Sequence, residues 1–111
     1  MSSTEPFFPE HLADEAGNPA GGKTWGTGFD IVWQNGPLVV DGTRHQPNGA
    51  FVETIIQSAA DRLRYYQTAS NGQFACRQNA LAITKLEEAL HWLNDRTAER
   101  VNCGVEGTQT P

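Results

Sequence analysis

Phe74–Val101, FACRQNALAITKLEEALHWLNDRTAERV, is the stretch whose reading decides the fold. Apolar or small residues recur at alternating three- and four-residue steps: Cys76, Ile83, Leu86, Leu90 and Leu93, with Asn79 holding the place between the first two. That spacing gathers them on one face of a helix. The residues between them, including Ala80, Leu81, Ala82, Lys85, Glu87, Glu88 and Ala89, are good helix formers, and no glycine or proline interrupts the run. Gly104 supplies a stop, and Arg96 and Arg100 near the C-terminal end suit the helix dipole. Ser70 and Gln73 have capping-box spacing, so the helix is predicted over 73–102. Two features complicate a plain amphipathic helix. Asn79 puts an amide on the apolar seam, where it must find a partner. Trp92 lies off the seam with Leu81, Lys85 and Ala89, a second semi-apolar flank that asks for a further partner.

Working outward, Asn48 is a candidate N-cap for an earlier helix over 49–68, with Glu53 in its first turn. Val52, Ile55, Ala59, Leu63 and Tyr66 form its predicted buried stripe, with Ile56 beside it. The short linker Gln67–Gly72 makes the two helices antiparallel. Upstream, Phe29, Ile31 and Trp33 alternate with Asp30, Val32 and Gln34, which is strand periodicity. Asn35-Gly36 is a two-residue hairpin signal, Leu38-Val39-Val40 is the return strand, and Asp41-Gly42 turns the chain out. The predicted β-hairpin spans 28–41. Residues 1–23 are rich in Ser, Pro, Gly and acids without a sustained period, and are predicted to be a mobile tail, as are 108–111.

The fold class is therefore α+β: a short N-terminal β-hairpin packed on an antiparallel two-helix hairpin, one domain over 24–107. With 111 residues and a marginal core, such a chain is expected to oligomerise. The net charge of −5 argues against bulk nucleic acid or an anionic membrane as partner, and leaves room for a small anion held by local arginines. Cys76 and Cys103 stand about 40 Å apart along a continuous helix, too far to pair within one copy, and read as reduced and intracellular. There is no apolar run of spanning length and no signal-peptide pattern.

Catalytic signatures are sparse. His11, His45 and His91 are scattered, no HExxH, CxxC or GxSxG occurs, and Gly26-Thr27-Gly28 precedes a strand rather than a helix, so it is not a phosphate loop. The chain reads as a non-enzyme with no metal and no cofactor. Binding chemistry is better represented. A nucleotide wants flat rings for its base, guanidinium groups for its phosphates and amides for the base edge. Tyr65 and Tyr66 end the first helix beside Arg62 and Arg64; Arg77 and Asn79 begin the second; Trp33, Gln34 and Asn35 cluster at the β-turn; Arg44 and His45 follow. Each has a plainer reading as well: Trp33 and Tyr66 as core, Arg62 and Arg64 as a solvated face, Asn79 as a register-fixing amide, Arg96 as an answer to the dipole.

The segment from Phe74 to Trp92, above all ALAITKLEEALHWL, resembles the helical hairpin shared by two phage anti-defence families, Thoeris anti-defence protein 1 and the second anti-CBASS protein. The resemblance covers roughly residues 48–107. It implies a sponge in the cytoplasm of the infected bacterium: a protein that binds immune signalling nucleotides and sequesters them uncleaved. It implies a homo-oligomer, dimer to hexamer, with pockets formed between copies, and points first to Arg77 and Asn79, then to Arg96. Asn79 and Arg96 are about 25 Å apart along one helix, so gripping one ligand with both takes two antiparallel copies. The β segment favours the Thoeris group, and with it cyclic ADP-ribose isomers, with cyclic oligonucleotides at further sites. The alternative is a non-enzymatic structural or interaction module of a phage or host complex.

Overall fold

The computed structural model describes residues 5–102, which fall into two compact units meeting in sequence at Phe51 and Val52. The architecture is α+β. Cys103, Gly104 and the tail over 108–111 lie outside the described residues.

The first unit holds β1 (Phe7–Ala13), β2 (Pro19–Gly26) and β3 (Phe29–Asn35) in one antiparallel sheet of order β1-β2-β3, followed by a small hairpin of β4 (Val39–Val40) and β5 (Thr43–Arg44). This corrects two expectations. Part of the predicted mobile tail over 1–23 is strand: Phe8 pairs with Trp25 and Glu10 with Lys23. The return partner of β3 is β2, through a two-residue turn at Thr27-Gly28, and not Leu38–Val40 through Asn35-Gly36. The physical reason is cross-strand pairing that carries no sequence period. Phe8 stacks on Trp25 with centroids 6.0 Å apart. Lys23 lies over the Trp25 ring at 5.7 Å and ion-pairs with Asp30 at 3.2 Å. Trp33 Nε1 donates to Thr24 Oγ1 at 2.9 Å. Pro9 is tolerable because β1 is an edge strand.

The other edge of β3 is partly covered by its own chain. Ala50 N–H donates to Val32 O at 2.7 Å and Gln34 N–H donates to Ala50 O at 3.1 Å, a parallel bridge opposite Trp33. Gly49 permits that approach, since a Cβ there would sit 2.5 Å from the Trp33 carbonyl. Asn48 is not the helix N-cap expected of it. Its Oδ1 accepts from Asn35 N–H at 2.8 Å and its Nδ2 donates to Asn35 O at 3.0 Å, so the amide imitates a strand residue. Asp41-Gly42 makes the β4–β5 turn, both residues at positive φ as a primed turn demands.

The second unit is the helical hairpin of α1 (Val52–Gly72) and α2 (Arg77–Asn102). Glu53, Ile56, Ala60, Leu63 and Gln67 on α1 and Asn79, Ile83, Leu86, Leu90, Leu93 and Thr97 on α2 form two half-buried or buried series, with Ile55, Ala89 and Arg100 half-buried beside them and Ala69 and Gly72 half-buried at the tip. Each series steps by three and four, the spacing of a coiled-coil seam. From Asn79 onward the α2 stripe falls where periodicity puts it, whereas Cys76, expected to open it, precedes the helix and is exposed. Of the expected α1 stripe Val52, Ile55, Ala59, Leu63, Tyr66, Ile55 and Leu63 are half-buried, but Val52 is 50% exposed and Ala59 and Tyr66 are exposed, while the neighbouring Ala60 is buried, so the buried face is rotated toward the adjacent stripe. Two apolar stripes lie side by side on α1, each with an alanine at its middle, and the one through Ala60 is buried. Arg64 bridges to Glu87 across the hairpin at 3.1 Å, a surface pair of little net stability. Thr84 Oγ1 bonds back to Ala80 O at 3.1 Å, as its mid-helix position suggests. Among the described residues no helix is long and apolar enough to cross a membrane, and no acid, histidine or cysteine cluster could hold a metal ion.

Candidate functional site

The tip of the helical hairpin is where local sequence departs most from regular structure. After Thr68 the chain leaves helical geometry: Ala69 is extended at φ −60°, ψ 145°, and Ser70, Asn71 and Gly72 follow at φ +51°, +57° and +83°. Three successive left-handed residues reverse the chain, and two of them are not glycine, which costs energy the surroundings must offset. Gln73 N–H donates to Ser70 O at 3.2 Å and Ala75 N–H to Gly72 O at 3.1 Å. The Gln67 side chain then clips the far side. Its Nε2 donates to Cys76 O at 3.1 Å, and its Oε1 accepts from Cys76 N–H at 2.9 Å.

Cys76, and not the Ser70/Gln73 capping box, starts α2. Its carbonyl accepts the first helical bond from Ala80 at 3.2 Å and its Sγ accepts from Asn79 N–H at 3.4 Å. The helix therefore begins at Arg77, four residues later than the spacing of Ser70 and Gln73 implies. Ser70 is committed to the reversal and has no part in a cap.

This tip frames a concavity of about 390 Å³ lined by Tyr65, Tyr66, Ala69, Ser70, Phe74 and Asn79. That volume suits a small ligand. Its rings stay accessible: Tyr65 is 55%, Tyr66 37% and Phe74 57% exposed. The two tyrosines lie 6.1 Å apart at 56°. Arg62, one turn earlier on α1, places its guanidinium 5.0 Å from the centre of each tyrosine ring, and its Nε donates to Tyr66 Oη at 3.2 Å. The hydrogen bond to Tyr66, with the adjoining ring charge, raises the affinity of Arg62 for its proton still further. Rings, an amide and a fixed cation can hold a flat anionic molecule; the lining contains no histidine or carboxylate beside the Ser70 hydroxyl to activate it as a nucleophile.

Of the residues singled out by sequence, the structure brings Tyr65, Tyr66 and Asn79 together. Arg77 is exposed in the first turn of α2, two residues before Asn79. Arg96 is exposed five turns further along the same helix, about 25 Å away from Asn79 by helical rise. Gln34, Asn35 and Arg44 belong to the β unit. There, Gln34 Oε1 accepts from Asn48 N–H at 2.9 Å, and the Asn35 backbone is held by the Asn48 side-chain amide, so the Gln34 and Asn48 amides serve the edge of β3. Arg44 sits exposed on β5.

The sequence reading missed Phe74, Ala69 and Ser70 as lining, because the left-handed tip that turns them inward has no linear signature. Arg62 had one: Arg-x-x-Tyr-Tyr at i, i+3 and i+4 puts a cation over two rings of the same helix face.

A family model described as "Acb2/Tad1, hairpin domain" matches residues 27–98. Among curated proteins, one named "Thoeris anti-defense 1", from Bacillus phage SBSphiJ7, is 54% identical over 78 residues, covering 70% of this chain and 50% of the relative. The chain spans about half the length of that relative.

Proposed function

The chain belongs to the Acb2/Tad1 hairpin-domain family, on its Thoeris anti-defence side, and from that premise we propose that it binds and sequesters immune signalling nucleotides without cleaving them. The observation that carries this reading is the aromatic concavity at the hairpin tip, with Asn79 in its wall and a guanidinium stacked beside it. Such a lining stacks a base, reads its edge and attracts phosphate. The leading ligands are cyclic ADP-ribose isomers, with cyclic oligonucleotides second. Homo-oligomers, dimer to hexamer, complete the site by bringing Arg96 of another copy toward Arg77 and Asn79. The place of action is the cytoplasm of the infected bacterium, and no chemistry follows binding.

A panel of cyclic nucleotides tested by thermal shift on the full chain should give at least one strong stabilisation, because only binding to the folded state raises the melting temperature. Heating the saturated complex and chromatographing the supernatant should return the ligand intact. A cleaved product would end the non-enzyme reading, and a flat panel would end the nucleotide reading.

A second reading is favoured by the exposed flank of α2, where Trp92 is 63% and Leu81 47% exposed: a structural or interaction module of a phage or host complex. Under it, Arg77→Ala and Asn79→Ala leave anti-defence activity unchanged, while Leu86→Asp abolishes it by breaking assembly. Under the nucleotide reading all three changes reduce activity.

A further inference from the structure

We infer that Arg62 is the phosphate-recognising group of the hairpin-tip concavity, held in place by Tyr65 and Tyr66, so that this site distinguishes a phosphorylated nucleoside from a bare one. This rests on the nucleotide reading above and deepens it.

Three observations carry the assignment. First, the Arg62 guanidinium lies 5.0 Å from each tyrosine ring, and Nε is spent on Tyr66 Oη at 3.2 Å. A side chain with four rotatable bonds is thereby fixed by two neighbours on its own helix, which spares part of the entropy otherwise lost on ligand binding. Second, the bonds and ring contacts recorded for Arg62 are all with tyrosines and none is with a carboxylate, whereas Arg64 is paired with Glu87 and Lys23 with Asp30. Its terminal Nη1 and Nη2 carry the planar fork that matches two phosphate oxygens. Third, the same two tyrosines line the concavity with Phe74 and Asn79, so the cation, outside the lining itself, is stacked on two of the rings that form it. Among the described residues Arg77 and Arg96 share the lack of an acid partner, but Arg62 alone of the three is stacked on the rings of the concavity. Tyr65 and Tyr66 thus do two jobs, presenting ring surface to the ligand and aiming the guanidinium.

The test uses the full chain with adenosine 5′-monophosphate and adenosine as probes, titrated by ligand-observed NMR. Wild type should bind the monophosphate roughly tenfold more tightly than the nucleoside. Arg62→Gln should abolish that preference while leaving adenosine affinity within about twofold. Arg62→Lys, which keeps the charge but loses the planar fork, should retain only part of the preference. Tyr66→Phe, which removes the oxygen that holds Nε, should weaken it by about two- to threefold. Circular dichroism melts should match wild type for all three variants, since the altered groups are exposed. An undiminished phosphate preference in Arg62→Gln overturns the inference, as does a wild type that fails to prefer the monophosphate. If the cyclic-nucleotide panel still stabilises the chain in either case, the inference alone falls; if the panel is also flat, the nucleotide reading falls with it.

Discussion

The Gln67 amide closes the hairpin tip by bonding both backbone groups of Cys76. Replacing it with alanine removes the partner of the Cys76 N–H and one of the two bonds to its carbonyl, which keeps Ala80 N–H, and with both groups open to water the cost is about 0.5–1.5 kcal/mol. Chemical denaturation of Gln67→Ala should show that loss, and Gln67→Glu should recover only the half that accepts. Ser70 points the other way. It holds a left-handed conformation that disfavours a side chain, so Ser70→Gly should stabilise the fold by about 0.5–1 kcal/mol, read as a higher denaturation midpoint. Asp14, in the β1–β2 turn, accepts from the backbone N–H and side-chain amide of Asn18 and from Ala16 N–H, chiefly Asn18, which lowers its pKa below 3.8. A carboxyl depressed in the folded state contributes stability above its unfolded value. That contribution fades as pH falls from about 4 through the lower folded value. The acid melting profile of Asp14→Asn should therefore be flatter than that of wild type below pH ~4.

At the scale of elements, the displaced α1 stripe gives a paired test. Ala60 is fully buried and Ala59 exposed. Ala60→Leu should overpack the seam and cost about 1–3 kcal/mol, while Ala59→Leu should be nearly neutral. Equal effects would mean that the buried face has been misassigned. Both helices were legible in the sequence because their apolar spacing survives in either choice of stripe. What spacing could not decide was which of two adjacent stripes α1 buries, because both carry aliphatic residues and an alanine at the middle. The strands were half legible. β3 alternates and was found; β1 is exposed at every position, and β2 carries Gly21-Gly22, so neither shows a period of two. Their evidence is pairwise, in Phe8 on Trp25 and Lys23 against Asp30, and cross-strand pairs appear only once the register is known. Asn48 was misread for a related reason: a side chain that caps a helix can equally imitate a strand.

At the scale of the molecule, large apolar side chains remain uncovered on both units, among them Phe7, Phe8, Val32, Phe74 and Trp92. Lone exposed hydrophobics are ordinary, but a helix flank that repeats them asks for a neighbour. If a second copy covers Leu81 and Trp92, Trp92→Glu should reduce the subunit number measured by light scattering without loss of helicity. An unchanged mass would place the interface elsewhere. The family was visible in ALAITKLEEALHWL and the α+β class in that run together with the alternation over Phe29–Gln34, but the concavity was visible only in part. Tyr65, Tyr66 and Asn79 were named from residue type, whereas the reversal over 69–72 that gathers Phe74 beside them is a property of backbone angles.

The clip from Gln67 to Cys76 bears on how fast such a protein works. On the proposed nucleotide reading, a tip already clipped before a messenger arrives has no slow rearrangement to wait for, so capture would run at the ordinary encounter rate of roughly 10⁵–10⁷ M⁻¹s⁻¹. In a race against an alarm signal that is still being synthesised, the decisive quantity would be the number of empty traps present at the outset, and a stopped-flow trace of loading should be a single exponential that scales linearly with concentration.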